Sequence, residues 1–355
     1  MLKDAEYGGS MERVKAYLRD YDGPSVRLME VCGTHTAQIS HCGLASMLSP
    51  KIRLVSGPGC PVCVTATSYV DRLVELSGQP GVTVVSFGDM LRVRGSRMSL
   101  NDAKAAGGRV RMVYSPMDAL KLAREDPGST YIFAAVGFET TAPVYAMLLD
   151  EAILSGTENL KILTSLKVMP PVIDTICAKQ GGVDGFLAPG HVSVITGSDI
   201  FIPLAEKYGI PFVVAGFEGE QILAAVYALV RLRGRGTVMN FYPSAVTARG
   251  NEEAQRSVRK YFEPCAAAWR GIGIIPDSGL ALKKEYGRFS AGGAELTADA
   301  GFEAGCSCPE VLTGAKSPVE CPLFGRVCTP ETPHGACMVS TEGSCFHYYV
   351  NRRRV

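Results

Sequence analysis

From residue 26 to about residue 235, short apolar runs alternate with longer amphipathic stretches. Compact runs rich in β-branched and aromatic residues, bounded by turn formers, read as strands, and the stretches with apolar residues three or four apart read as helices. The predicted strands are Val26 to Val31, Arg53 to Ser56, Val82 to Phe87, Val110 to Tyr114, Tyr131 to Val136, Lys161 to Leu166, Gly185 to Ala188 and Pro211 to Ala215. Their alternation with helices predicts an α/β protein with mostly parallel, doubly wound, Rossmann-like sheets. The helical stretch Ala142 to Leu154, ending near Gly156, reads as a bridge between two such domains, 26–145 and 146–235. After residue 236 come a polar helix at about 249–262, the segment Gly273 to Pro276, and a Gly- and Cys-rich tail of little periodicity. Residues 236–355, with an N-terminal helix within 1–25, are expected to form a third, small, α-rich and irregular domain. A tail with so little apolar patterning is expected to need a metal to hold it.

Many of the predicted strands run straight into turn-forming or polar residues. Cys-Gly-Thr-His-Thr follows the first, Gly-Pro-Gly-Cys-Pro-Val-Cys the second and Phe-Gly-Asp-Met the third, with Gly-Phe-Glu-Thr-Thr (137–141), Pro-Gly-His (189–191) and Gly-Phe-Glu-Gly (216–219) later. In open α/β sheets ligands bind beyond the carboxyl ends of strands, so these loops are expected to converge on one cleft. His191, Asp89, Glu139 and Glu218 are its candidate proton donors, acceptors or supports for a bound metal; each also suits a helix cap or turn.

Composition narrows the class. At 355 residues the chain exceeds the usual size of a single core, so two or three domains are expected. With 46% hydrophobic and 20% charged residues it is globular rather than disordered. A net charge of +1, with only Arg352, Arg353 and Arg354 locally basic, argues against nucleic-acid or membrane partners. Met1 to Ser10 is polar, and the runs Tyr131 to Phe138 and Ile222 to Val230 are roughly half the length that spans a bilayer, so a cytoplasmic protein is expected. Twelve cysteines in a reducing compartment suit metal ligation or redox work better than structural disulfides. No Gly-x-x-x-x-Gly-Lys-Ser/Thr phosphate loop is present, so no ATPase is predicted.

Six cysteines lie within forty residues of the tail: Cys306, Cys308, Cys321, Cys328, Cys337 and Cys345. Thiolates suit zinc or an iron-sulfur cluster, and either takes four. Cys321, Cys328, Cys337 and Cys345 are separated by six, eight and seven residues, wider than the paired spacing of structural zinc sites, which favours a cluster wrapped by a loop. Cys306 and Cys308 are read as alternative ligands, a redox pair or buried thiols beside the site. Upstream, Cys60 and Cys63 form Cys-Pro-Val-Cys before a helix predicted to begin near Thr65, where the helix N-terminus would lower the thiolate pKa. Cys32 occupies a similar strand end, with Gly33 allowing close approach and Thr34, His35 and Thr36 supplying polar groups. Three strand-end thiols in one α/β unit suit a soft metal or thiol-disulfide exchange. His41, Cys42, Cys177 and Cys265 lack supporting neighbours, and Trp269 reads as core.

Taken in order, Cys-Gly-Thr-His-Thr (32–36), Gly-Pro-Gly-Cys-Pro-Val-Cys-Val-Thr (57–65), Phe-Gly-Asp-Met (87–90), Gly-Phe-Glu-Thr-Thr (137–141), Pro-Gly-His-Val-Ser (189–193), Cys-Pro-Leu-Phe-Gly (321–325), Cys-Thr-Pro (328–330) and Cys-Met-Val-Ser-Thr-Glu-Gly-Ser-Cys (337–345) resemble the HypD family of hydrogenase maturation factors. The resemblance implies two α/β domains and a third carrying a [4Fe-4S] cluster on Cys321, Cys328, Cys337 and Cys345. It implies work on the iron centre of nickel-iron hydrogenases, with a HypC-type chaperone helping to hold iron while cyanide and carbon monoxide are added. A HypE-type partner supplies the cyanide, made from carbamoyl groups delivered by HypF. Carried over by motif, Cys32 is the thiol for transient iron and Cys60 with Cys63 the redox pair. His41-Cys42 departs from the family pattern. Two other readings use the same residues: a cluster-dependent protein disulfide reductase, and a zinc-stabilised scaffold without redox chemistry.

Overall fold

A computed structural model describes residues 11–180, 182–293 and 305–352. The polar start Met1 to Ser10 and the basic residues Arg353 and Arg354 lie outside that range. All eight strands expected from periodicity form: β1 (Val26–Glu30), β2 (Ile52–Ser56), β3 (Val82–Ser86), β4 (Val110–Met112), β5 (Thr130–Gly137), β6 (Leu160–Lys167), β7 (Gly185–Pro189) and β8 (Phe212–Ala215). Three more were not expected: β9 (Val238–Asn240), β10 (Phe262–Trp269) and β11 (Gly273–Leu282). Their signals are weak for physical reasons. The first has three half-buried residues, while β10 holds Pro264 and a register irregularity between Cys265 and Ala267. In β11, Pro276 precedes Asp277, whose φ is 51°, and Gly279. Proline and glycine inside a run argue against a strand unless the strand is bulged or lies near an edge.

Two sheets result. The first has the order β2-β1-β7-β8-β9 and is parallel throughout. The second has the order β10-β11-β6-β5-β3-β4, parallel from β6 to β4 and closed by the antiparallel β10/β11 hairpin. Helices cover both, so the central strands are apolar on both faces; in β5 every residue from Tyr131 to Gly137 is buried. Helix starts are locally encoded, as at Ser115, whose side chain accepts from Met117 N while Asp118 accepts from Ser115 N, with Pro116 opening helix Pro116–Glu125.

The sheets do not follow the contiguous division 26–145 and 146–235. β1 and β2 pair with β7, β8 and β9 from much later in the chain. Helix Ala142–Leu154 joins β5 to β6, which are neighbours in one sheet, so it is a crossover and not a bridge. The chain passes between sheets through helices Thr67–Ser77, Met169–Gln180 and Glu252–Tyr261. Strands β9 to β11 also place 238–282 in the two sheets rather than in the irregular tail. The described N-terminal helix, Met11–Arg19, packs away from that tail: Val14 and Leu18 share a core with Val26, Leu28, Leu223 and Val226 of the first sheet and its covering helix.

Residues 305–352 form short helices and turns that share one core with both sheets, in which Cys308, Val311, Cys337 and Met338 pack with Cys63, Phe138, Met169 and Trp269. Trp269 is fully buried and donates from Nε1 to Ser278 Oγ at 2.8 Å, as its core reading required. Among the described residues no helix is long and apolar enough to cross a membrane. Because Leu18 belongs to the first sheet's core, Leu18→Ala should cost about 2–4 kcal/mol of stability in denaturant unfolding.

Candidate functional site

Each sheet reverses its winding once. In the first the reversal lies between β1 and β7, and in the second between β3 and β5. A crevice opens at such a switch point because the loops leaving the two central strands part to opposite faces. Here residues beyond strand ends of both sheets meet a residue of the cysteine-rich segment in one cleft. A cleft of about 100 Å³ is lined by Cys32, Gly33 and Thr34 after β1, Gly59 and Pro61 after β2, Phe138, Thr140 and Thr141 after β5, Pro189 and His191 at the end of β7, and Glu342.

Cys32 caps helix Gly33–His41, and the backbone N–H groups of Thr34 and His35 approach its sulfur. Those donors favour thiolate, but burial dominates and, with the carboxylates of Glu30 and Glu342, pushes the thiol up to about 12. Glu30 is 3% exposed. It accepts from Cys32 N at 3.0 Å and from Thr36 Oγ1 at 2.5 Å, and Ser56 also bonds to it. Burial raises its carboxyl to about 7. Beside it, Gly59 comes so close that a Cβ there would stand 2.3 Å from Cys32 N.

Cys63 N donates to Cys60 Sγ at 3.1 Å, so the Cys-Pro-Val-Cys turn closes on itself. The helix after it starts at Thr67, later than expected, and the expected lowering of the thiolate pKa is not found at Cys63. Burial, reinforced by contacts with Cys337 and Cys60, raises that thiol well above its ordinary value. Cys337 touches Cys63, Cys308 and Cys345, and Cys308 touches Cys306. One continuous chain of sulfurs therefore runs from Cys60 into the cysteine-rich segment.

At its far end Cys306, Cys308, Cys321, Cys328 and Cys345 line a small cavity with Val311, Phe324 and Met338. Cys337, expected among the ligands, is not among its lining residues, and Cys306 is. Ser307 N donates to Cys321 Sγ at 3.5 Å and His334 N to Cys328 Sγ at 3.4 Å. Such N–H···S contacts suit sulfurs that carry negative charge on a metal. Gly335 admits the crowding, since a Cβ there would lie 2.6 Å from Cys308 Sγ and 3.0 Å from Cys306 Sγ. Among the described residues no three or more His, Cys, Asp or Glu side chains already form a metal-holding group. The donor set, all thiol with backbone support and apolar walls, fits an iron-sulfur cluster or zinc.

The remaining candidates separate. His191 lines the cleft, stacked at 4.0 Å on Phe217. His35 points away from it, fully buried, its Nε2 2.9 Å from Gly216 O; burial lowers it to about 4, so it is a neutral structural ring. Asp89 accepts from Ser340 Oγ at 3.1 Å and Thr341 N at 3.2 Å, and so pins the cysteine-rich segment to the second sheet. Glu139 accepts from Met169 N at 2.7 Å at the start of helix Met169–Gln180. Glu218 caps helix Gly219–Arg231. Cys42 packs at the edge of the first sheet's core, and Cys177 and Cys265 lie outside both thiol sites. The sequence reading missed Glu30 and Glu342. The only signal for Glu30 was a carboxylate in an otherwise apolar strand; Glu342 had none beyond its place between Cys337 and Cys345.

The family model described as "HypD: Hydrogenase formation hypA family" matches residues 9–352. The chain is 42% identical over 340 residues to a hydrogenase maturation factor HypD of Azotobacter vinelandii, covering 92% of this chain and 90% of that one. It is 43% identical over 340 residues to HypD1 of Bradyrhizobium diazoefficiens, with the same coverage. To HypD of Escherichia coli it is 40% identical over 337 residues, covering 93% and 90%.

Burial raises the Glu139 carboxyl from 4.5 to about 7. A raised folded pKa gives stability that is fully present below 4.5 and is lost as pH rises through about 7. Glu139→Gln should remove this loss, gaining up to about 3 kcal/mol above neutral pH and nothing near pH 4, as read by denaturant unfolding across pH.

Proposed function

Because this chain belongs to the HypD family of hydrogenase maturation factors, we propose that it is a cytoplasmic scaffold on which the iron centre of a nickel-iron hydrogenase receives its cyanide and carbon monoxide ligands. The observation that carries this reading is Cys32: a lone thiol in a switch-point cleft whose wall also includes Gly59 and Pro61, the residues flanking Cys60. Iron is the cargo. Cys32 would hold it from one side and a HypC-type chaperone from the other, with a HypE-type partner delivering cyanide. A thiol raised to about 12 stays protonated until a cation displaces its proton, so Cys32 is suited to taking up iron and resists oxidation while empty. His191 and Glu342, on the cleft wall, are placed to receive that proton.

We assign the resident metal site to Cys306, Cys321, Cys328 and Cys345. Cys328 interacts with Cys306 and Cys321, and Cys345 with Cys337, Cys308, Cys328 and Cys306; Cys337 lies outside the cavity lining and also touches Cys308 and Cys63. A [4Fe-4S] cluster there would supply electrons one at a time. Cys308 and Cys337 then stand between that site and the Cys60/Cys63 pair. If Cys308 and Cys337 are joined as a disulfide, the Cys63 thiolate attacks Cys337 and releases Cys308 as thiolate. Attack of Cys60 on Cys63 then frees Cys337 and leaves a Cys60–Cys63 disulfide. Two electrons have moved, and the reverse sequence moves them back.

Anaerobically purified protein should contain about four iron and four sulfide per chain and give a paramagnetic signal on reduction. Zinc without sulfide would overturn the cluster. Cys306→Ser should lose this metal while Cys337→Ser keeps it; the opposite pattern restores Cys337 as the ligand.

Co-expressed with its partners, the protein should show infrared bands of iron-bound cyanide and carbon monoxide that vanish in Cys32→Ala. A protein that only exchanged disulfides would show none. Cys63→Ala should keep the cluster but lower hydrogenase maturation at least about tenfold; wild-type maturation would remove the relay.

A further inference from the structure

Among the described residues, Glu30 is a buried carboxylate beneath the cleft that holds a backbone group of a strand-end thiol. We propose that Glu30 is a positioning residue for Cys32, fixing through its two oxygens the direction in which the sulfur enters the cleft. One oxygen accepts from Cys32 N at 3.0 Å and the other from Thr36 Oγ1 at 2.5 Å, one turn into the helix that Cys32 begins. Thr36 closes the turn from the other side, since its N donates to Cys32 O at 3.0 Å and its Oγ1 lies 3.2 Å from the same oxygen. Ser56, at the end of β2, also bonds to the carboxylate, and Glu30 O accepts from Gly57 N at 2.7 Å. Glu30 therefore joins three things that must keep register: the end of β1, the start of the loop carrying Cys60, and the first turn behind Cys32.

A buried acid is an expensive way to fill space, and an apolar residue of the same shape would serve packing better. What a leucine lacks is an acceptor for the Cys32 amide. Without it that N–H is stranded in the core, and the turn relaxes at a cost comparable to a lost buried hydrogen bond. A relaxed turn also frees the sulfur, held at 7% exposure, so loss of the clamp shows first as greater access of a reagent to Cys32. This role rests on reading Cys32 as the working thiol of the cleft.

The test is alkylation of Cys32 by iodoacetamide in the intact protein, read by mass spectrometry against Cys177 in the same chain. Glu30→Leu should raise the Cys32 rate at least about tenfold relative to Cys177, because the clamp that keeps the sulfur inside is gone. Glu30→Gln keeps a carbonyl oxygen for Cys32 N and can turn its amide towards the rotatable Thr36 hydroxyl, so it should stay within about threefold of wild type. Leu at the wild-type rate, or Gln rising as far as Leu, overturns the proposal; the second result would mean that charge, not the held amide, restrains the thiol. Should Leu fail to fold, Glu30→Asp serves, since its shorter side chain withdraws both oxygens: about tenfold is expected, and a rate within threefold of wild type is fatal. Infrared bands that persist in Cys32→Ala would instead sink the iron-scaffold reading and leave the alkylation result standing.

Discussion

The constraint on which the site depends is the interlock of the loops that leave β1 and β2. Gly57 N donates to Glu30 O at 2.7 Å, and Gly33 N donates to Gly59 O at 3.0 Å. Gly59 lies against the Cys32 backbone with no room for a side chain. Two parallel neighbours normally send their following segments away from each other or along the sheet. Here they are stitched together past their ends, so that Cys32 and the Cys60/Cys63 turn share one rigid frame. The cleft depends on this frame, because a loose loop would not hold a thiol at 7% exposure beside a cavity.

Rigidity carries a chemical consequence. Burial places the Cys32 and Cys63 thiols above their ordinary range, the opposite of the electropositive setting that makes a cysteine spontaneously reactive. Sulfurs held this way are quiet until something with stronger affinity, such as a metal ion or a disulfide within reach, arrives. That silence suits a protein carrying twelve cysteines. It makes contact, rather than exposure, the trigger for chemistry.

The strands were legible because parallel strands buried on both faces appear as unbroken apolar runs, and the strand-end motifs marked the cleft directly. Sheet membership was not legible. Apolar periodicity says that β1 and β7 are strands, but their pairing is set by crossings of the chain between sheets that leave no local trace. The β10/β11 hairpin was hidden by Pro264, Pro276 and Gly279, residues tolerated there because a bulge and an edge position relieve them. In the site, cysteine spacing pointed to a thiol-rich segment but not to which sulfurs line its cavity. Cys337 and Cys345 belong to adjacent short helices, joined by a turn, and touch each other, yet Cys345 lines the cavity while Cys337 lies outside its lining and also touches Cys63. Asp89 and His35 came from the motifs but do not line the cleft: Asp89 holds the Ser340 bend, and His35 lies against Gly216 O.

That same turn joins the two halves of the site. Asp89 holds Ser340 and Thr341, and Arg92 donates to Val339 O at 2.6 Å, so the second sheet fixes both sides of the Ser340 bend. Glu342 then reaches the cleft beside Cys32, and Cys345, three residues on, reaches the thiol-lined cavity. Helix Ser344–Val350 returns to the helix behind Cys32, where Ser40 Oγ donates to His347 O at 3.0 Å. A metal gathered by the C-terminal thiols would therefore tighten one wall of the cleft through a path of only a few residues. The cysteine-rich segment is thus a structural member of the cleft as well as the carrier of the thiol-lined cavity, because Glu342 and Cys345 leave the same bend for the two sites.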